Sequence, residues 1–302
     1  MLASRTEEYK KYCDDEYQDY VIYSSLAKRE KNLEKREILE RMSKQEHTHY
    51  LFWKEFLSEN YEPKISKFTL YVVLLLKFFF GITFSLKYLE RHEEKVIKEY
   101  EKLLNYISEE KKERLKAILE DEKSHERNLL SQLESSFVKY FGFVVLGLAD
   151  AIVEISGVHA GFLGVTSSTI IAGVAGLVVG VSASIAMGSA AYIQAKQTMG
   201  MKPSTSAIST GISYLGAAAL LATPYFLTEI MIIAFIASII VAVILTSYFT
   251  FYSSVVFERK FIGEFLQNTA LILATALASY LFGDFLGRFL GIHTYYNNIN
   301  IT

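Results

Sequence analysis

The sequence has few of the residues that cross-link or interrupt a chain. Its 302 residues include one cysteine, Cys13, and three prolines. A single cysteine excludes an intramolecular disulfide and a thiolate metal cluster, which needs several sulfurs. We therefore expect a reducing compartment around the N-terminal part, and no secretory signal, because the first residues are charged rather than apolar. The scarcity of proline favours long helices.

Charge is scarce in the second half of the chain. Of the 64 Lys, Arg, Asp and Glu residues, eleven follow Phe141: Asp150, Glu154, Lys196, Lys202, Glu229, Glu258, Arg259, Lys260, Glu264, Asp284 and Arg288. This asymmetry predicts a water-soluble domain over residues 1–135 and a lipid-embedded domain over residues 136–302. We expect the lipid bilayer to be a partner, and we expect no nucleic acid.

Helical periodicity dominates the charged half. It predicts four helices of over twenty residues, at 6–31, 33–58, 82–107 and 108–133. Three have short connections, and a longer crossover runs through residues 61–80, as ferritin-like connectivity requires. The predicted fold class is all-α, with a ferritin-like four-helix bundle followed by a five-helix transmembrane domain.

Five apolar segments in the second half are each long enough to cross a hydrocarbon core of about 30 Å. They are residues 140–163, 169–194, 206–226, 230–252 and 265–290. The connections after the second and fourth spans carry Lys or Arg, whereas those after the first and third carry neither. The positive-inside rule therefore predicts a cell-membrane protein with a cytoplasmic N-terminal domain and the C-terminus outside.

Residues 68–86 are nearly apolar and long enough to form a sixth span, interrupted by Lys77. A span there would place the second and third bundle helices on opposite sides of the membrane. We therefore interpret this stretch as a buried crossover or as an interfacial helix against the bilayer, with Lys77 snorkelling to the headgroups.

Two bundle helices contain the pattern Glu-x-x-His, as Glu46 with His49 and Glu122 with His125. Residues three apart share a helical face, so each pair can offer a carboxylate and an imidazole to one ion. A single such pair in a charged helix is usually a solvated face. Two pairs, on the second and fourth helices of a bundle, are typical of a carboxylate-bridged di-metal site.

That pattern needs one inward Glu from each remaining helix. Glu16 falls on the apolar stripe of the first helix and Glu93 on that of the third, with Glu94 in reserve; Glu30 is a weaker candidate. Carboxylates with imidazoles suit Fe or Mn better than the tetrahedral preference of zinc. We predict a di-metal centre of Fe or Mn, and we treat His47 and the other acids of these helices as surface groups.

Ionisable residues within a predicted span are costly and by default functional. Asp150 and Glu154 lie one turn apart on the first span. Met187 of the second span should lie at the same depth as Asp150 on an adjacent antiparallel helix. A carboxylate with a thioether is a plausible transit site for a divalent metal ion, and carboxylates at this depth suit exchange of metal for protons. Small residues crowd the first two spans, which permits either close helix packing or dimerisation.

Two resemblances follow from these residues. The run from Leu146 to Gly157, with Met187 and the segment Tyr192 to Gln197, resembles the vacuolar iron transporter family over residues 141–292. The first 135 residues resemble a rubrerythrin-type ferritin-like domain, through Glu16, Tyr23 and the two Glu-x-x-His pairs. The fused order is similar to bacterial membrane-bound ferritins.

The resemblance implies a homodimeric iron or manganese transporter driven by proton exchange, with Asp150 and Met187 at the family's membrane metal site. Two features depart from that family. The connection at 198–205 is too short for the helical metal-binding insertion of the stand-alone transporters, and Ala191 stands where a Glu is often found.

Our leading hypothesis is export of Fe(II), with the bundle collecting or sensing the metal, and ferroxidase-type activity of the bundle left open. The alternative is a membrane-tethered diiron oxidase or peroxidase whose spans serve as an anchor. An anchor needs neither five spans nor intramembrane acids, so Asp150 and Glu154 favour transport. A manganese exporter with the same architecture satisfies the same ligand set.

Overall fold

The computed structural model describes residues 2–90, 93–133 and 136–292, with the side chains of all but 2–4, 90, 93–94, 125–133 and 136–137. Every regular element within these residues is an α-helix, which confirms the predicted all-α class. The chain divides into two compact units, Met1–Ser135 and Ser136–Thr302.

The described part of the first unit contains six helices. They are α1 (Leu2–Ala27), α2 (Leu33–Lys54), α3 (Lys67–Phe80), α4 (Ile82–Glu90), α5 (Glu93–Leu103) and α6 (Glu109–Leu133). The third predicted bundle helix corresponds to α4 and α5, and residues 91 and 92 between them lie outside the described residues. Helix α3 occupies the predicted crossover.

The turn between α1 and α2 explains why α1 ends four residues earlier than predicted. The Glu30 carboxylate accepts hydrogen bonds from the backbone N–H groups of Lys31 (2.9 Å) and Asn32 (3.1 Å). The Asn32 side chain in turn accepts from the backbone N–H of Lys35 and caps α2. Glu30, which we expected as a weak extra ligand, instead holds this turn and pairs with Lys77 at 3.4 Å.

Two apolar clusters form the core of the bundle. One contains Ile22, Leu26, Leu39, Met42, Val73 and Leu86. The other contains Tyr12, Cys13, Trp53, Tyr100, Leu115 and Leu119. On α1 and α2, the acidic positions 16 and 46 fall between the residues of these two clusters. The bundle therefore places polar groups in the middle of its length, with apolar packing on either side.

The stretch at 68–86 is two helices rather than one. Helix α3 ends at Gly81, whose φ of +84° is a conformation that favours glycine, and α4 starts at the next residue. Val73 and Leu76 are buried on one face of α3. The prediction that Lys77 snorkels outward is wrong, because its ammonium contacts the Glu30 carboxylate and, at 3.5 Å, the backbone oxygen of Leu26.

The second unit contains five long helices in its described residues. They are α7 (Ser136–Val165), α8 (Thr169–Gln197), α9 (Pro203–Leu227), α10 (Met231–Val256) and α11 (Phe261–Phe289). By length and composition each can cross a membrane, at the five places predicted from the sequence. This pattern indicates an integral membrane protein. Five residues connect α8 to α9, so no folded insertion separates them.

Small residues bring the membrane helices into close contact. A Cβ atom at Gly147 would collide with the backbone oxygen of Thr210 on α9, and one at Gly283 would collide with the backbone of Gly161. The glycines of α8 also face neighbours in the same chain, since Gly176 abuts the ring of His159. The sequence left two roles open for these small residues, close helix packing or dimerisation. The described contacts are those of helix packing within one chain.

Candidate metal centre

Four of the predicted ligands meet inside the bundle. Glu16 of α1, Glu46 and His49 of α2, and Glu122 of α6 each place one ligand atom within 4.8 Å of the others. All four side chains are buried, with exposures of 5% or less. The spacing of Glu46 and His49, three residues apart, puts both on the inward face of α2, as predicted.

The imidazole of His49 is the centre of the cluster. Its Nδ1 atom lies 2.9 Å from Glu122 Oε1, 3.4 Å from Glu46 Oε2 and 3.5 Å from Glu16 Oε2. On the other side of the ring, Nε2 lies 3.4 Å from Asp121 Oδ2. One ring therefore contacts four carboxylates from three helices.

This arrangement raises the affinity of the site for positive charge. Burial raises the pKa of Glu16 to about 8, and the nearby charges of Glu122 and Glu46 add to that rise, against the opposing contact with His49. Burial by itself would lower the pKa of His49, but its hydrogen bonds to Asp121, Glu122 and the other carboxylates raise it well above its usual value. Without a metal ion, protons held by these groups offset the negative charge.

The donor set fits a divalent metal ion. Ligand atoms on opposite sides of an ion lie up to two bond lengths apart, roughly 4 to 5 Å for oxygen-preferring ions, and the four ligand atoms of the cluster all lie within 4.8 Å of one another. Three carboxylates and an imidazole are the ligands that Fe and Mn share, whereas thiolates are absent from the described site. Glu16, Glu46, His49 and Glu122 would hold the ion.

Three residues beside the cluster were not predicted. Asp121 contacts His49, as described above, and also accepts a hydrogen bond from the Gln45 amide at 3.3 Å. Asp19 lies one turn after Glu16, and burial, followed by the charges of Glu46 and Glu16, raises its pKa well above the usual value. The third is Tyr100 of α5, whose hydroxyl donates a 2.5 Å hydrogen bond to Glu16 Oε1.

The sequence held a partial signal for these residues. Asp19 follows Glu16 at a helical spacing of three, and Tyr100 lies on the same apolar stripe that suggested Glu93. Our treatment of the other acids as surface groups is wrong for Asp19, and His47 is half-buried between the rings of Tyr20 and Tyr50.

The remaining predicted ligands fall outside the described side chains. These are Glu93 and the reserve candidate Glu94 at the start of α5, and His125 on α6. They remain predictions.

A four-helix bundle with a buried cluster of carboxylates and an imidazole at its middle defines a ferritin-like metal-binding domain. The Rubrerythrin family model matches residues 10–133, so the first unit carries a rubrerythrin domain. The match ends before the first of the five candidate spans. No curated protein and no solved structure matches this chain.

The second unit carries acids in the middle of its first helix. Asp150 is half-buried and lines a cavity of about 280 Å³ with residues of α10 and α11, including Thr246 and Asn268. The hydroxyl of Thr246 is buried and finds no hydrogen-bond partner among the described residues. Met187 is half-buried on α8 and is not among the residues that line this cavity.

Glu154 and His159 have contrasting surroundings. Glu154 is exposed at the surface of the five-helix unit, and its carboxylate accepts a 2.5 Å hydrogen bond from the Tyr214 hydroxyl. His159 is fully buried, contacts the ring of Tyr225 in a tilted arrangement at a centroid distance of 4.1 Å, and places Nδ1 3.4 Å from the Ser238 hydroxyl. The sequence singled out Glu154 for transport and left His159 without a role.

Proposed function

We propose that this chain is a membrane transporter that exports Fe(II), or Mn(II), from the cytoplasm in exchange for protons, with the rubrerythrin domain collecting or sensing the metal. The observation that carries the proposal is the combination, in one chain, of a buried carboxylate–imidazole cluster and five candidate spans with acids in the middle of the first. Neither an anchor nor a soluble metal-binding protein requires the intramembrane acids.

In the bundle, metal capture is coupled to proton release. Glu16 and His49 hold protons more strongly than the free side chains do, for the reasons given above. Metal ligation requires deprotonated carboxylates and a neutral imidazole, so an arriving ion displaces these protons. The rubrerythrin domain thus gives up protons where it takes up metal. Glu93 and His125 would complete the predicted six-residue ligand set.

In the membrane unit, Asp150 is the residue we assign to cation transit. It lies in the middle of α7, and the cavity beside it adds the side-chain oxygens of Thr246 and Asn268. Oxygen donors without thiolates bind Fe(II) or Mn(II) without holding it too strongly for release. The resemblance to vacuolar iron transporters implies a further thioether ligand from Met187, although Met187 does not line this cavity within the single chain.

The exposure of Glu154 supports a homodimer. A charged carboxylate that faces hydrocarbon near the middle of a membrane helix costs about 2.5–3.5 kcal/mol or more, and the hydrogen bond from Tyr214 leaves Glu154 exposed. A second copy placed against this face would cover Glu154 and bring two sets of acids together.

Cysteine cross-linking tests the dimer. Val158 lies one turn beyond Glu154, so Val158→Cys should cross-link two copies in vesicles, whereas Val178→Cys, on an exposed position of α8, should not. Equal cross-linking at both positions would refute the proposed interface.

Transport is tested with the full chain in liposomes under a pH gradient. Fe(II) and Mn(II) uptake are measured for the wild type, Asp150→Asn, Asp150→Ala and Glu46→Gln. We expect Asp150→Ala to abolish uptake, Asp150→Asn to reduce it strongly, and Glu46→Gln to cause a partial defect. Uptake of one metal and not the other identifies the cargo.

The rival function is a membrane-tethered diiron oxidase or peroxidase. If the wild type moves neither ion but consumes O2 or peroxide in the presence of Fe(II), and Glu46→Gln abolishes that consumption, the transporter proposal fails and the rival replaces it.

A further inference from the structure

Helix α3 exposes an apolar face that nothing in the described part of the first unit covers. Phe68, Tyr71, Leu75, Phe78 and Phe79 are each more than half exposed, and Phe78 reaches 83%. At 100° per residue these five side chains fall within an arc of about 100–120° on one side of the helix. Four of the five are aromatic, and the arc contains no charged residue.

The opposite face of α3 fixes the orientation of this arc. Val73 and Leu76 are buried there, and Leu70 and Leu74 pack against the cluster formed with α1 and α2. Lys77, the charge that interrupts the apolar run, is also turned inward to Glu30. From Phe68 to Phe79 the exposed side of the helix therefore carries no charged group, because the one charge in this stretch, Lys77, is packed inward.

The length of α3 excludes a sixth span. Its 14 residues rise about 21 Å, which is less than the roughly 30 Å of a hydrocarbon core. Gly81 then ends the helix in a left-handed backbone conformation. A helix of this length can lie along the surface of a bilayer, but it cannot cross the hydrocarbon core.

Positive charge flanks the apolar arc at both ends. Lys64 and Lys67 are exposed just before Phe68. At the other end, the contacts of Lys77 with Glu30 and with the Leu26 oxygen join α3 to the turn between α1 and α2. That turn carries three exposed basic residues, Lys28, Arg29 and Lys31.

We propose that α3 and this basic turn dock on the membrane surface, with the aromatic arc in the boundary between headgroups and acyl chains and the basic residues on anionic headgroups. Helices that lie in the interface bury Phe and Leu side chains at that depth, and basic groups near the surface are attracted by anionic lipid. The five candidate spans in the same chain keep the domain beside a bilayer.

A second copy of the chain fits this surface less well. A two-fold interface would pair the same patch with itself, so the basic turns would face surfaces of like charge. The exposed residues of the arc also offer a single hydrogen-bonding side chain, the Tyr71 hydroxyl, whereas interfaces between proteins carry several hydrogen bonds.

Lipid quenching in the full chain tests this surface. Phe78→Cys is labelled with an environment-sensitive fluorophore, and Glu113→Cys, on an exposed position of α6, is the matched control. The natural Cys13 stays unlabelled, because it is buried and burial raises the pKa of its thiol to about 11. Emission of Trp53, the single tryptophan, verifies that each variant keeps its folded bundle core.

With brominated phospholipids, the label at position 78 should be quenched and the label at 113 should not. Equal quenching of the two labels by the brominated phospholipids would overturn the proposal. A different result would indicate that a second copy of the chain covers this surface. In that case the label at position 78 would be shielded from water without being quenched by lipid, and it would become accessible to water in nanodiscs that hold one chain.

A second set of variants tests the basic turn. Replacing Lys28, Arg29 and Lys31 by Gln should lower the quenching at position 78 in vesicles with anionic lipid and leave it unchanged in purely zwitterionic vesicles. If these substitutions left the quenching unchanged in both kinds of vesicle, the proposed contact between the basic turn and the headgroups would be wrong.

Discussion

The two units differ in how far they bury their acidic side chains. In the bundle, the carboxylates of Glu16, Glu46 and Glu122 are buried by helices of one chain and share one imidazole. In the membrane unit, Asp150 is half-buried and Glu154 is exposed, with one hydrogen bond from Tyr214. The difference is that the described ligands of the first site are buried by helices of a single chain, whereas the exposure of Glu154 in the second is the reason we propose a second copy against it.

The largest effect should come from removing a ligand of the bundle. We expect Glu46→Gln to lower Mn(II) affinity by more than about 100-fold, because changes to groups that only orient ligands already cost 10–100-fold. Titration in an Asp150→Asn background confines the measurement to the bundle site. Glu37→Gln, an exposed position on the same helix, is the control and should change nothing. If the Mn(II) affinity of the bundle depended on dimerisation, the contrast between the bundle site and the membrane unit would be wrong.

The next effect concerns packing in the membrane unit. Gly283→Val would push a side chain into the backbone of Gly161 and should cost about 1–3 kcal/mol or more of stability. Gly216→Val is the matched control, since a Cβ atom there meets nothing within 4 Å. Thermal stability of the detergent-solubilised chain measures both, and equal stability of the two variants would contradict the close contact of α7 with α11.

A smaller effect is expected from pH on the metal-free bundle. Because Glu16 and His49 have pKa values above their usual ones, the folded state binds more protons than the unfolded state. Stability should therefore be greatest below the unfolded pKa values and decline as pH rises from about 5 to 8. Trp53 fluorescence follows the unfolding, and Glu16→Gln should flatten the profile. A rise in stability over this window would contradict the charge assignment.

The smallest effect should come from Tyr100→Phe. The loss of one hydrogen bond to Glu16 should weaken metal binding by about tenfold while the core packing of the ring is retained. Tyr106→Phe, at an exposed position beyond α5, is the control. A loss as large as that of Glu46→Gln would mean that Tyr100 is itself a ligand.

The sequence predicted what depends on helical spacing. Glu46 and His49 share a face because they are three residues apart, and the five spans follow from apolar length alone. It did not predict what depends on how helices cross. Tyr100 reaches Glu16 only because α5 packs beside α1, and Lys77 turns inward only because the turn at Glu30 lies next to α3.

The same limit applies to the small residues of the spans. The run of glycines in α8 is compatible with packing inside a chain or between chains, and only the contacts of Gly176 with His159 and of Gly180 with Ala218 identify packing inside the chain.

The close contact between Gly176 and the His159 ring also limits which substitutions this protein can accept during evolution. The ring of His159 fills the space that any side chain at position 176 would need. A lineage that enlarges residue 176 must move or replace the His159 ring, and a lineage that keeps the ring in this place keeps glycine at 176. Among homologous sequences the two positions should therefore vary together, and this covariation would reveal the helix pair α7 and α8 to a reader who has only the sequences.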